Sequence, residues 1–192
     1  MAKTGDTNAP GDTNDPGGVP VKVPEPIRRA LAVHTTLTLA YVDEDGPQAC
    51  AVLYAMDATE GGVKLYFVTA VTTRHGRALA GPGPGGAGEP RDAGAGGPGD
   101  ARVAFTAQRD GQEWSGLTGL QGRGRCRVLT GAERAIGWRV YTERFPFVEA
   151  SDQLRTALER TTLWELRPDW LRLIDNGQGF GHKEEWRRTA DE

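Results

Sequence analysis

Thr72, Thr73, Arg74, His75 and Arg77 gather two hydroxyls, two guanidiniums and an imidazole directly after the apolar run LYFV at 65–68. At the start of a helix, groups of these types can hold a phosphate. The first turn leaves backbone N–H groups unpaired, and the helix dipole favours an anion there. A guanidinium can grip two phosphate oxygens at once, and a threonine at the helix start also caps it. The alternative is a capped surface helix that happens to be basic. These residues alone weigh the two equally, because the motif is short and is not a glycine-rich phosphate loop.

The remaining reactive side chains form no competing cluster. Cys50 and Cys126 fall in strand-like segments without metal-ligand spacing, and His34, His75 and His182 are scattered, so a zinc site is not expected. Both cysteines read as reduced, half-buried thiols of a cytoplasmic protein, with a redox or nucleophilic role as the minor alternative. A net charge of −3 gives no basic field for nucleic acid. No segment approaches the roughly 20 apolar residues that span a bilayer, and the first 20 residues lack the apolar core of a secretory signal.

The elements that must position the 72–77 cluster are mostly strands. Residues 34–42 alternate and are rich in β-branched types, DEDG at 43–46 is a turn, and 48–56 is a hairpin partner. Strand 63–69 follows the EGG turn, and 101–108 and 117–129 read as two more strands around RDGQ. Gly119, Gly122 and Gly124 weaken the latter unless a bend or ligand needs the space. Residues 131–144 and 148–160 read as helices, 161–175 as two strands, and a short helix follows Pro26. Residues 1–20 repeat GDTN and read as a disordered tail; 81–100, with 13 Gly or Pro, read as a surface loop. The expected fold is mainly β with flanking helices, six or seven short antiparallel strands forming a small barrel within residues 21–192.

In order, HTTLTLAYVDEDGPQACAVLY, LYFVTAVTTRHGRAL, GLQGRGRCRVL and LWELRPDWLRLID resemble the pyridoxamine 5'-phosphate oxidase-like flavin-binding split barrels. The nearest subgroup is one of small bacterial proteins that end in a sequence like GFGHKEEW at 179–186. The resemblance implies a six-stranded split barrel that forms a homodimer, with FMN at the subunit interface. It assigns the flavin ring edge to the strand Ala49, Cys50, Ala51, Val52 and Tyr54, and further contacts to Val68 and Thr69. The phosphate falls to Thr73, Arg74 and His75, and Gln121 supplies a polar side chain against the cofactor. An FMN-dependent oxidoreductase of a small molecule is implied, reduced by a nicotinamide or another flavin. The alternative is a flavin- or haem-binding module without turnover, a carrier, sensor or scavenger.

Departures narrow this. His75 stands where many relatives have Lys, so its grip on phosphate weakens as the imidazole loses its proton. Ala49 and Tyr54 replace the cations that pyridoxamine-phosphate oxidases carry on the ring-edge strand, and GFGHKEEWRR lacks their C-terminal Arg/His pair, which argues against vitamin B6 oxidation. The stripe Trp138, Tyr141, Phe145 and Phe147 reads as packing, with Phe145 or Phe147 as a possible roof over the flavin. Trp164 and Trp170 flank Pro168 at an expected strand turn, and His182 with Lys183 reads as a solvated tail. Arg123, Arg125 and Arg127 share one strand face, read as solvated.

Overall fold

The computed structural model describes residues 22–59, 62–81 and 100–188. The N-terminal tail and the glycine-rich stretch between Gly81 and Asp100 lie outside the described residues. After α1 (Glu25–Val33) come β1 (Thr36–Asp43), β2 (Gly46–Thr59), β3 (Gly62–Val68), α2 (Arg74–Ala80), β4 (Ala101–Gln108) and β5 (Thr118–Val128). Helices α3 (Gly131–Arg144) and α4 (Asp152–Glu159) lead to β6 (Leu163–Asp175) and β7 (Lys183–Arg187). The strands form one antiparallel sheet in the order β3-β2-β1-β4-β5-β6-β7, and β3 also pairs with β6.

Six strands therefore close into a ring, with β7 attached outside on β6. The chain is mainly β with flanking helices, as expected, and the sheet has seven strands, within the six or seven that the strand pattern allows and one more than the resemblance implies. The segment read as a solvated tail is an edge strand, whose Trp186 is buried opposite Leu171.

Alternation along the strands fills the ring. Leu37, Leu39 and Tyr41 of β1, Val52 and Tyr54 of β2, Leu65 and Phe67 of β3 and Val103 and Phe105 of β4 point inward and are buried. Each such side chain contributes roughly 1.5–3 kcal/mol on leaving water. α1 covers one mouth with Ile27 and Leu31, and its Leu31 carbonyl accepts a 2.6 Å bond from the buried Tyr54 hydroxyl. Leu79 of α2 joins the same core from the end where Ala101 pairs with Cys126.

The two strands expected over 161–175 are one. In β6, Trp164 and Leu166 face the core before Pro168, and Leu171 and Leu173 face it afterwards, so the inward parity changes once. The change is a bulge: Gly124 pairs with Pro168 and Arg123 with Trp170, leaving Asp169 without an opposite residue. Gly124 is required there, because a Cβ would lie 2.3 Å from the Arg167 carbonyl oxygen.

On the outer face, α3 covers Tyr66 and Leu163, and Tyr141 and Phe145 pack on Ala55. The carboxylate of Glu165, only 2% exposed, accepts a 2.9 Å bond from Arg127 Nε and one from Arg167 Nε, and Arg127 reaches on to Glu133 of α3. Arg123, Arg125 and Arg127 do share the outward face, but Arg127 belongs to this buried ion cluster rather than to solvent.

Candidate functional site

The chain leaves β3 at Val68 and turns through Thr69–Thr73 into α2. Thr73 caps that helix, its Oγ1 accepting from the Gly76 N–H at 3.0 Å and donating to the Ala70 carbonyl at 2.8 Å. The turn is tight enough that a Cβ on Gly76 would sit 2.0 Å from the Ala70 oxygen. Thr69 is buried, and its hydroxyl meets His75 Nε2 at 2.6 Å and Thr73 Oγ1 at 3.2 Å. Trp164 Nε1 donates to the Thr69 carbonyl at 3.0 Å, which ties the turn to β6. Thr69, Thr73 and His75 thus form one linked cluster. Burial holds the His75 imidazole below its ordinary pKa of 6.5, which favours the neutral ring.

Arg74 has partners that its sequence neighbours do not announce. Its Nε donates to Asp43 Oδ2 at 2.6 Å, and its Nη2 bonds both Asp43 Oδ1 and Asp45 Oδ2. These acids belong to the DEDG turn between β1 and β2. The Arg74 hydrogen bond holds the Asp43 carboxyl below the usual carboxylate range. Arg77 donates to the Thr72 carbonyl. Asp43, Glu44, Asp45, Arg74 and Arg77 line a cleft of about 680 Å³, in which acids and cations face each other. An entering phosphate must share Arg74 with Asp43 and Asp45 or displace them.

The ring-edge strand divides by parity. Tyr54 N–H donates to the Thr35 carbonyl, and β1 pairs Leu37 with Val52 and Leu39 with Cys50. The N–H and C=O groups of Cys50, Val52 and Tyr54 therefore point into the ladder with β1, and Val52 and Tyr54 are buried in the ring. Those of Ala49, Ala51 and Leu53 point the other way. β3 pairs with β2 from Tyr54 to Thr59, the first pair being bridged by the backbone of Leu53 and Ala55, so among the described residues no strand meets that edge at Ala49 and Ala51. Ala49 and Ala51 are also exposed, so small side chains and free backbone donors and acceptors coincide.

Val68 packs, with Trp138 and Val140 of α3, against the buried cluster of Tyr66, Leu129 and Leu163. Phe145 is buried, while Phe147, 49% exposed, lies with its ring centroid 5.8 Å from that of Phe145. Gln121 is not brought to β2 within one chain. Ala51 pairs with Thr38, Thr38 with Thr106 and Thr106 with Gln121. Three strand spacings, about 14 Å measured along the curved sheet, separate Gln121 from Ala51, on the side away from the free edge. Cys50 and Cys126 are free thiols whose pKa burial pushes up, which disfavours the nucleophilic alternative. Among the described residues, no group of His, Cys, Asp and Glu could hold a metal ion, and no described helix is long and apolar enough to cross a membrane.

No family model matches the chain. The UPF0306 protein YhbP of Escherichia fergusonii is 29% identical over 165 residues, 85% of this chain and 92% of the relative. A UPF0306 protein of Klebsiella pneumoniae is 34% identical over 90 residues, 47% of this chain and 56% of the relative. Among solved structures, a Clostridium acetobutylicum protein related to general stress protein 26, of the pyridoxinephosphate oxidase family, superposes with a TM-score of 0.54 at 13% identity, covering 83% of this chain and 90% of that one. A heme binding protein from Mycobacterium smegmatis gives 0.56 at 16% identity, covering 86% and 59%. At such identities these likenesses establish fold, and in its fold this chain resembles the pyridoxamine 5'-phosphate oxidase-like proteins, as its order of motifs does.

Proposed function

We propose that this chain binds FMN along the free edge of β2 and acts as an FMN-dependent oxidoreductase on a small molecule. The observation that carries this reading is the coincidence at Ala49 and Ala51 of outward backbone N–H and C=O groups with exposed, small side chains. A planar ring bearing donors and acceptors on its edge fits such a strand. Thr73 and Arg74 lie at the end of the neighbouring strand, where the phosphate would be held, with His75 fixed against Thr69 beside them. FMN would supply the hydride chemistry; the chain supplies binding and orientation. No acid or base is assigned, and a nicotinamide or a second flavin is the proposed reductant.

The six-strand ring is read here as a split barrel, and residues 21–192 as one flavin-binding domain. A homodimer is proposed with it: Gln121 lies two strands away from β2 within one chain, so the contact with the flavin that the resemblance implies would come from a second copy. The two free thiols support a cytoplasmic location.

Titration with FMN and with riboflavin, followed by quenching of flavin fluorescence, tests the reading. FMN is expected to bind about ten- to hundredfold more tightly, because riboflavin lacks the phosphate. The double variant T73A/R74A is expected to erase that preference. Equal affinity for both flavins in the parent chain would refute the assignment of the phosphate end. The fold likeness to a heme binding protein favours one second reading, a haem-binding module, which uptake of hemin with a Soret band in place of flavin would support.

A further inference from the structure

At the mouth covered by α1, a cleft of about 340 Å³ separates that helix from the segment after β4 and the end of β6. Arg29 of α1 and Arg109, one residue beyond β4, line it, and both are exposed. Neither guanidinium has a side-chain partner among the described residues. His34, only 7% exposed, lines the same cleft, and neither of its ring nitrogens has a hydrogen-bond partner among the described residues. Its ring nitrogens open onto the cleft, since the one buried side-chain nitrogen without a partner among the described residues is Arg28 Nε, so a molecule in the cleft can reach them. Val33 and Leu173 supply an apolar wall.

The charges favour an anion. The cleft is lined by Arg29 from α1, Arg109 from the β4 end, whose charge acts on the imidazole, and Asp175 from the β6 end, while Thr118 of β5 is uncharged. The oxygens of Asp175 already accept from the Gly177 N–H at 3.1 Å and from Gln178 Nε2 at 2.8 Å. Two forked cations therefore face one carboxylate that is already bonded.

We propose that this cleft is a binding site for a small organic anion, whose carboxylate or phosphate group is held between Arg29, Arg109 and the protonated imidazole of His34. The site is distinct from the β2 edge and does not depend on the flavin reading. It shares Arg109 and Thr118 with an adjoining cleft of about 480 Å³ that contains Gln121. Burial and the Arg109 charge keep His34 below its ordinary pKa of 6.5 in the free chain. A bound anion reverses the Arg109 effect, so binding takes up a proton and tightens as the pH falls.

The test is histidine NMR on the flavin-free full chain, in which three histidines give few resonances and H34Q identifies the one required. Sulfate, a dianion throughout pH 5.5–8 (roughly), stands in for phosphate without titrating itself, and benzoate stands in for a carboxylate on an apolar body. Sodium chloride at matched ionic strength is the control. Sulfate or benzoate is expected to shift the His34 resonance and to raise its pKa, with tighter binding at about pH 6 than at pH 8. Arg29→Ala and Arg109→Ala are each expected to weaken binding about tenfold. The tighter probe assigns the acid group. An unmoved His34 resonance with both probes, or a shift that survives in the folded R29A/R109A variant, overturns the proposal. Flavin titration of that variant is expected to be unchanged, so failure here and failure of the flavin reading are separate results.

Discussion

Proline at position 51 and proline at position 52 differ by one residue and are expected to have opposite effects. Ala51 is exposed, and its N–H points to the free edge of β2. Proline is tolerated where a strand's N–H makes no ladder bond. Ala51→Pro therefore leaves the pairing with β1 intact and is expected to cost less than about 1 kcal/mol, a change in Tm below about 4 °C for a chain of this size. Its ring, however, removes one donor to the flavin and occupies the space beside the edge. Loss of one hydrogen bond is worth about 0.5–1.5 kcal/mol, so FMN is expected to bind roughly three- to tenfold more weakly, and more so with the added crowding. Val52 is buried, and its N–H belongs to the ladder with Leu37. Val52→Pro leaves a carbonyl of β1 unpaired and disturbs the core packing, at a cost of about 3 kcal/mol, or roughly 6–12 °C in Tm. Thermal melts and FMN titration of the two variants are the assay. An A51P protein that binds FMN as tightly as the parent would refute the use of that edge, and a V52P protein that melts no lower would refute the parity.

Asp45→Asn removes one of the carboxylates that compete for Arg74, so FMN is expected to bind severalfold more tightly while riboflavin is unaffected; equal changes for both flavins would contradict this. Gly124→Ala places a Cβ 2.3 Å from the Arg167 carbonyl oxygen and 2.9 Å from Pro168 Cα, and is expected to cost about 2 kcal/mol or more, seen as a Tm lower by at least about 4 °C. His34 and His75 are both held below their ordinary 6.5 in the folded chain. As pH falls through that value the unfolded chain takes up protons first, so stability present above it is lost on the acid side. Melts between about pH 7.5 and 5.5 should show this loss, and His75→Gln should reduce it; a flat profile would refute the burial of both rings.

Much of this arrangement was legible in the sequence because it is local. The alternation in 34–42 and 48–56 with an acidic turn between them specifies the first hairpin, and the Thr73 cap follows from a hydroxyl placed before a short helical run. The parity change in β6 was not legible as a bulge: Pro168 reads as a break, and only its pairing with Gly124 shows how one strand continues past it. β7 was hidden because HKEEWRR carries a single large apolar residue, Trp186, and an edge strand needs no more than one buried face. The pairing of Arg74 with Asp43 and Asp45 spans about 30 residues of chain. No local pattern could announce it, although three acids in a turn beside a basic helix start were its one visible sign. The distance from Gln121 to β2 required the strand order β2-β1-β4-β5, which places two strands between them.

The most direct measurement is the absorption spectrum of the purified full chain, before and after FMN is added and excess removed, with the released chromophore identified. The account predicts flavin bands and about one FMN per chain on denaturation. A colourless protein that retains no added FMN, or one showing a Soret band instead, would contradict it.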